Sequence, residues 1–242
     1  MLFNTTSCPS LNTKKNTCEN CAKRDYSLLN ELSYDELKIL NKNRYIVSYK
    51  TGETICKEGT KPLGLICLNK GKVKIIRRSD NGTELIVALK KPVDFIGFRA
   101  LMSDNIYLSS IIALEEVEVC IIDKTDFFKV IEANKQLAFK IINLFAQELN
   151  ELDNRMFNNI HKHIRARMAD ALLLIDEVYG TYPNGTLAVL LKRQDLAALS
   201  NMTASNVSRV LSSFSKENLI ETNQRDIKIK NLKALKDLSV FG

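Results

Sequence analysis

Leu191-Lys192-Arg193-Gln194-Asp195-Leu196-Ala197-Ala198-Leu199 is followed by Ser200-Asn201-Met202-Thr203 and then by Ala204-Ser205-Asn206-Val207-Ser208-Arg209-Val210-Leu211. The stretch reads as a short amphipathic helix, a tight turn and a second helix. Leu191, Leu196 and Leu199 share one side of the first helix, where Ala197 and Ala198 are small enough for close packing. Asn201 stands where the chain must reverse, and Asn tolerates left-handed backbone better than most residues. Thr203 is placed to N-cap the second helix, whose Val207, Val210, Leu211 and Phe214 form an inward face. Ser205, Asn206, Ser208 and Arg209 are left on the outer side of its first two turns. Helix pairs of this kind present a helix N-terminus to the major groove of double-stranded DNA. Arg and Asn are the side chains that most often read guanine and adenine there. An ordinary helical hairpin with a polar outer face is the alternative reading.

Working outward, the 242 residues carry 35 Lys+Arg against 28 Asp+Glu, a formal net charge of +7. That balance suits a polyanionic partner, and equally a solvated basic surface. A 45% hydrophobic content supports two domains plus a tail. No apolar stretch approaches the ~20 residues of a membrane-spanning helix, and the N-terminus lacks the charged-then-apolar pattern of a secretory signal. The expectation is a cytoplasmic protein with no membrane partner, whose six cysteines are thiols or metal ligands rather than disulfides. Without a Gly-rich nucleotide loop or hydrolase elbow, an enzyme is not expected. A thiol oxidoreductase using Cys18 and Cys21 is disfavoured because no βαβ pattern surrounds that pair.

Four zones follow. Residues 1–27 are polar, rich in Asn, Thr and Lys, and hold Cys8, Cys18 and Cys21. Residues 28–125 open with Ser33 and Glu36 in a capping-box pattern. They continue as short β-branched runs punctuated by Gly, such as Lys72–Ile76, Glu84–Leu89 and Val117–Ile122. Asn81-Gly82 is a hairpin signal, and the even spacing points to an antiparallel roll serving as a sensor. Residues 126–160 turn helical. Ala138, Ile142, Phe145, Leu149, Leu152 and Met156 recur at alternating spacings of four and three, the stripe of a coiled coil. Leu137, Ile141 and Leu144 form a second stripe. One stripe can pack on its own domain and the other on a second copy, making Ile142, Phe145, Leu149, Leu152 and Met156 a homodimer interface. A helix buried within one subunit is the alternative, although the strands before it look too few to cover both faces. In a two-fold dimer, paired recognition helices meet successive major grooves ~34 Å apart. Residues 161–242 add a helix through Leu172–Ile175, the helix pair, and a small wing in which Ile220–Thr222 and Ile227–Ile229 bracket Asn223–Asp226. The fold expected is α+β: an N-terminal antiparallel β-roll of jelly-roll type, a long dimerisation helix and a C-terminal winged helix-turn-helix.

In that order the pieces resemble the Crp/Fnr family of bacterial transcription regulators, from about residue 29 to 235. The matching stretches are Tyr49-Lys50-Thr51-Gly52-Glu53, Lys57-Glu58-Gly59, Gly71-Lys72-Val73-Lys74, Asp94-Phe95-Ile96-Gly97, Ala113-Leu114-Glu115, and Arg193-x-Asp195-Leu196-Ala197 through Ser208-Arg209. Each is short; their order and spacing make the joint match specific. The chain also resembles the Bacteroidetes branch, which often carries Cys-x-x-Cys ahead of the first helix. The resemblance implies a cyclic-nucleotide-binding-like roll, a dimer on double-stranded DNA, and RNA polymerase as a partner.

Departures from the family pattern narrow the input. Members that bind cyclic AMP present Gly-Glu and, about ten residues later, Arg-Ser. Here Gly97 is followed by Phe98 and Ser109 is preceded by Leu108. The charge-assisted contacts such a ligand needs are gone, and Arg99 is displaced by one position, which argues against cyclic AMP. The oxygen-sensing branch ligates a [4Fe–4S] cluster with three N-terminal cysteines and one from the roll. Cys18-x-x-Cys21 resembles two of these and Cys120 resembles the last. The third position, near residue 27, is Ser27, so Cys8 is the candidate fourth thiolate. Zinc on the same residues is chemically as reasonable. Cys120, like Cys56 and Cys67, also reads as a small buried hydrophobe. Haem is used in the family, but neither His161 nor His163 lies in the roll.

On the DNA side, many relatives carry Glu four residues before the Arg, where this chain has Ser205. Arg209 suits guanine, whereas Ser205 cannot impose the same cytosine requirement. Arg165, Arg167, Lys192 and Arg193 are cast as phosphate or inter-element contacts. The expected function is a DNA-binding regulator that responds to redox state, oxygen or nitric oxide. A regulator sensing another small molecule in the roll, or a zinc or thiol switch, is the alternative.

Overall fold

Caps and turns set most element boundaries in the computed structural model, which describes residues 17–21 and 24–241. In chain order the first elements are α1 (Tyr34–Asn41), β1 (Tyr45–Tyr49), β2 (Thr54–Cys56), β3 (Gly64–Lys70), β4 (Val73–Arg78), β5 (Glu84–Lys90) and β6 (Phe95–Ile96). Next come α2 (Phe98–Met102), β7 (Ser110–Ala113), β8 (Val117–Asp123), α3 (Lys124–Ala133), α4 (Lys135–His161) and α5 (Ile164–Tyr179). The remaining elements are α6 (Arg193–Ser200), α7 (Ala204–Lys216), β9 (Ile220–Asn223), β10 (Asp226–Ile229) and α8 (Leu232–Phe241). This is the expected α+β class, antiparallel strands ahead of a helical, winged C-terminal part. No helix among the described residues is long and apolar enough to cross a membrane.

The chain divides into two compact units, residues 1–71 with 92–143 and residues 72–91 with 144–242. The first holds an antiparallel sheet ordered β1-β8-β3-β6, with β2 paired to β7. Side chains alternate between the faces of a strand. Val117, Val119 and Ile121 of β8 are buried with Ile66 and Leu68 of β3, while Glu118, Cys120, Cys67 and Asn69 on the other face are half-buried. α1 opens with the anticipated capping box: Ser33 Oγ accepts from the Glu36 N–H, and the Glu36 carboxylate accepts from the Ser33 N–H at 2.7 Å.

The helical zone expected over 126–160 resolves into α3 and α4. Asn134 breaks it, with extended backbone at φ −113°, ψ 97°. The reason is a cap: Asn134 Oδ1 accepts from the Leu137 N–H at 2.9 Å, and its Nδ2 donates to Glu36 Oε1 at 2.8 Å. An Asn that satisfies a free helical N–H starts a new helix more readily than it continues an old one.

In the second unit β4 and β5 form the hairpin signalled by Asn81-Gly82, with Gly82 at φ +81°. The sequence places this hairpin in the roll, but by packing it belongs with the C-terminal helices. Tyr179 Oη donates to the Val73 carbonyl at 2.9 Å, and Arg155 Nη2 to that of Ile86, also at 2.9 Å. Lys90 Nζ lies 2.8 Å from Glu148 Oε1. Ala166, Met168, Leu172, Leu196, Val207 and Phe214 are fully buried and hold α5, α6 and α7 together. β9 and β10 pair from Ile220↔Ile229 to Asn223↔Asp226, so Gln224-Arg225 is a two-residue turn, with Gln224 at φ +52°. That is the expected wing.

Candidate nucleic-acid interface and cysteine site

The turn between α6 and α7 follows the sequence reading. Asn201 takes the left-handed conformation at φ 50°, ψ 54°, and Thr203 Oγ1 accepts from the Asn206 N–H at 3.2 Å. With Val207, Val210, Leu211 and Phe214 buried, Ser205, Ser208 and Arg209 are exposed and Asn206 is half-buried. Arg209 Nη2 donates to Asn206 Oδ1 at 2.9 Å, so the two candidate base readers are already joined. The Ser208 hydroxyl donates back to the Ala204 carbonyl at 3.1 Å, which leaves it less to offer a base.

The sequence left three arginines between phosphate and inter-element contacts. The structure gives each an inter-element bond. Arg165 donates to both Glu217 carboxylate oxygens, at 2.9 and 2.6 Å, and to Ser213 Oγ at 2.6 Å, with its guanidinium 5.0 Å over the Phe214 ring. The Arg165 hydrogen bond holds the Glu217 carboxyl down at about 2. Arg167 Nη1 donates to the Asn201 carbonyl at 2.8 Å. For Arg165 this engagement displaces a phosphate role. Arg193 Nη2 donates to the Gln224 carbonyl at 3.2 Å, joining α6 to the wing turn, while its buried Nη1 has no partner. Beside it, Lys192, Gln194, Ala204, Gln224 and Arg225 line a cleft of about 310 Å³. A cationic cleft beside the recognition helix suits a DNA phosphate.

Sequence reasoning gave Asp195 no role of its own. Its Oδ2 accepts from the Lys192 N–H at 3.0 Å, and its Oδ1 lies 2.5 Å from Lys74 Nζ on β4. Lys74 carries no local signal that would have found this pair.

On α4 the two apolar stripes part company. Leu137 and Ile141 are buried, whereas Ile142, Leu149 and Met156 are 60%, 59% and 62% exposed. Phe145 and Leu152 are half-buried. Phe139, Phe157 and Ile160, which the stripe did not include, are also exposed. An apolar strip of this length is a surface for another chain.

The cysteine candidates meet in the first unit. Cys18 is buried, and its N–H donates to Asn41 Oδ1 at 2.9 Å. The Cys18 thiol donates to Cys120, which raises the Cys18 pKa, as does burial. The same hydrogen bond, aided by Arg44, lowers Cys120 to about 7. Arg44 Nη1 lies 3.0 Å from Cys120 Sγ, a contact that nothing in the sequence signalled. Cys21 is near enough for its charge to act on Cys18. Cys8 lies outside the described residues. Ser27 Oγ donates to the Arg24 carbonyl at 2.7 Å and serves a turn. Among the described residues no three His, Cys, Asp or Glu side chains are gathered to hold a metal ion. Cys56 is buried against Tyr107, and burial pushes its thiol up to about 11. Tyr107 also closes on Gly97: a Cβ there would lie 2.6 Å from its ring. Phe98 and Tyr107 are both buried.

Residues 46–134 match the sequence model of the cyclic nucleotide-binding domain, and residues 166–238 that of the Crp-like helix-turn-helix domain. The chain belongs to the Crp/Fnr family of transcription regulators. Regulators of the Crp/Fnr family bind DNA and act as dimers. Over 198 residues this Crp/Fnr chain is 24% identical to the CRP-like cAMP-activated global transcriptional regulator of Mycobacterium tuberculosis, covering 81% of this chain and 88% of that protein. Its fold is similar to that of FixK2 from Bradyrhizobium japonicum, with a TM-score of 0.73, 23% identity, and coverage of 81% and 96% of the two chains. A Crp/Fnr-family regulator from Eubacterium rectale superposes with a TM-score of 0.72 at 20% identity, over 88% and 97% of the two chains.

Proposed function

We propose that this Crp/Fnr chain is a homodimeric, sequence-specific regulator on double-stranded DNA that responds to redox state, oxygen or nitric oxide through its cysteines. The observation that carries the sensing half is the contact of Cys18 with Cys120, about a hundred residues apart in sequence, beside Arg44. Thiolates are the ligands of iron–sulfur clusters and of zinc. Two sulfurs in contact, a third nearby and a guanidinium that favours negative sulfur fit that donor chemistry. Cys18, Cys21 and Cys120 would hold a [4Fe–4S] cluster, with Cys8 as the expected fourth ligand. The cluster would supply reactivity toward oxygen and nitric oxide. Zinc on the same thiols is the second reading, supported by the same contacts. Cyclic AMP is disfavoured by Phe98 and by Tyr107, whose ring packs directly onto Gly97. The DNA half rests on the Thr203-capped helix with its linked Arg209 and Asn206, and the dimer on the exposed α4 stripe. RNA polymerase is the partner the family implies.

Anaerobic purification followed by a visible spectrum and iron, sulfide and zinc analysis tests the reading. Broad absorption near ~400 nm with iron and sulfide supports the cluster; zinc alone supports the second reading. A colourless, metal-free protein whose DNA binding ignores oxygen and nitric oxide refutes both.

A further inference from the structure

We propose that Cys67, the cross-strand neighbour of Cys120, is a thiolate ligand of the same metal centre. The inference rests on the metal-centre reading above and names a ligand that sequence reasoning had set aside as a small hydrophobe. Cys67 on β3 and Cys120 on β8 are Cα partners in the antiparallel register. Their strand neighbours Ile66, Leu68, Val119 and Ile121 are buried on the core face. Alternation therefore puts both thiols on the opposite face, the one Arg44 reaches when it donates to Cys120. Across the sheet the row reads Ile46, Cys120, Cys67, Phe95. Two thiols thus sit side by side between apolar neighbours, with Cys18 against one of them.

The backbone decides what such a pair can do. The Leu68 N–H donates to the Asp94 carbonyl at 3.0 Å, and its carbonyl accepts from the Val93 N–H at 2.8 Å. Leu68 thus turns its hydrogen-bonding groups away from β8, and those of Cys67 must face it. A directly opposed pair of this hydrogen-bonded kind has Cα atoms ~5.5 Å apart and Cβ atoms about as far. A disulfide needs Cβ atoms roughly 3.5–4.5 Å apart, so Cys67 and Cys120 are too wide to oxidise to one without moving the strands. They are well placed to share a metal, each sulfur reaching roughly 2.3 Å to it. Because β3 is held by β8 and β6, presenting Cys67 needs no further ordering of the chain. The three thiols adjoin without converging on one point among the described residues. Closing them is coupled to metal uptake.

The test uses the full chain as wild type, Cys67→Ser, Cys67→Ala and Cys56→Ser, apo and after anaerobic reconstitution with ferrous iron and sulfide. A parallel titration uses Co²⁺. The readouts are metal per protomer, the thiolate-to-metal absorption band, and mass-spectrometric mapping of alkylated cysteines. We expect wild type and Cys56→Ser to load equally, both Cys67 variants to bind metal roughly tenfold or more weakly, and metal to protect Cys67 from alkylation in wild type. Full loading of folded Cys67→Ser with an unchanged band overturns the inference while leaving the metal-centre reading intact. Should both variants misfold, equal alkylation of Cys67 in apo and loaded wild type overturns it instead. If wild type itself takes up no metal, the underlying reading fails visibly in that arm, and this inference falls with it.

Discussion

Lys74 on β4 and Asp195 at the start of α6 form an ion pair with 2.5 Å between Nζ and Oδ1, their side chains only 12% and 10% exposed. The other Asp195 oxygen accepts from the Lys192 N–H, so one carboxylate caps the first helix of the DNA-binding pair and holds the hairpin to it. Removing one partner of a buried pair leaves an uncompensated charge, which typically costs about 3–5 kcal/mol. Lys74→Met should lower unfolding stability on that scale. Lys74→Met with Asp195→Leu should recover much of the loss, less the helix cap. A urea-unfolding double-mutant cycle measures the coupling, and strict additivity would show that the two residues do not depend on each other.

Arg209→Ala should cost about 1–3 kcal/mol of specific binding and relax preference at one base pair per half-site. Asn206→Ala should produce a smaller shift at the same position, because Asn206 holds the guanidinium. Ser208→Ala should change little, its hydroxyl being bonded to the Ala204 carbonyl. Selected binding sites for each variant, followed by anisotropy titrations, decide this. Equal loss on every sequence would place Arg209 on phosphate.

Leu149→Asp should dissociate the dimer more completely than Leu152→Asp, since Leu149 is exposed in the single chain and Leu152 is half-buried. Each would place two charges face to face at the seam. Ile141→Asp should instead destabilise the protomer, because Ile141 is buried. Sedimentation separates these outcomes; a dimer that survives both leucine substitutions would locate the interface elsewhere.

Glu217 provides a pH signature. Its carboxyl is lowered from 4.5 to about 2 by Arg165, so the folded state binds the proton more weakly than the unfolded chain. The link therefore stabilises fully above pH 4.5 and fades as pH falls toward 2. Both side chains are partly exposed, and solvent screening keeps the effect modest. Glu217→Gln should flatten this part of the acid limb in a plot of thermal midpoint against pH. An unchanged limb would mean the ion pair contributes nothing measurable.

The elements read correctly from sequence are those whose reasons lie within a few residues. Ser33 and Glu36 close their box three residues apart, Thr203 caps three residues ahead, and Asn81-Gly82 and Gln224-Arg225 turn their hairpins locally. Periodicity failed at Asn134, because an apolar repeat runs on through a residue whose side chain has begun a new helix.

The amino-acid sequence by itself determined the α+β architecture, the helix pair with its outward Arg209, and the two stripes of α4. Caps, turns and hydrophobic period are local, and local chemistry is written in neighbouring residues. Only the tertiary structure decided that Arg44 reaches Cys120, that Cys67 stands opposite it, that Lys74 meets Asp195, and that the β4–β5 hairpin packs with the C-terminal helices. Each of these depends on strand register or on which buried faces meet. A one-residue slip in a strand would send Cys67 to the core face and break the row of thiols, and no short stretch of sequence carries that register.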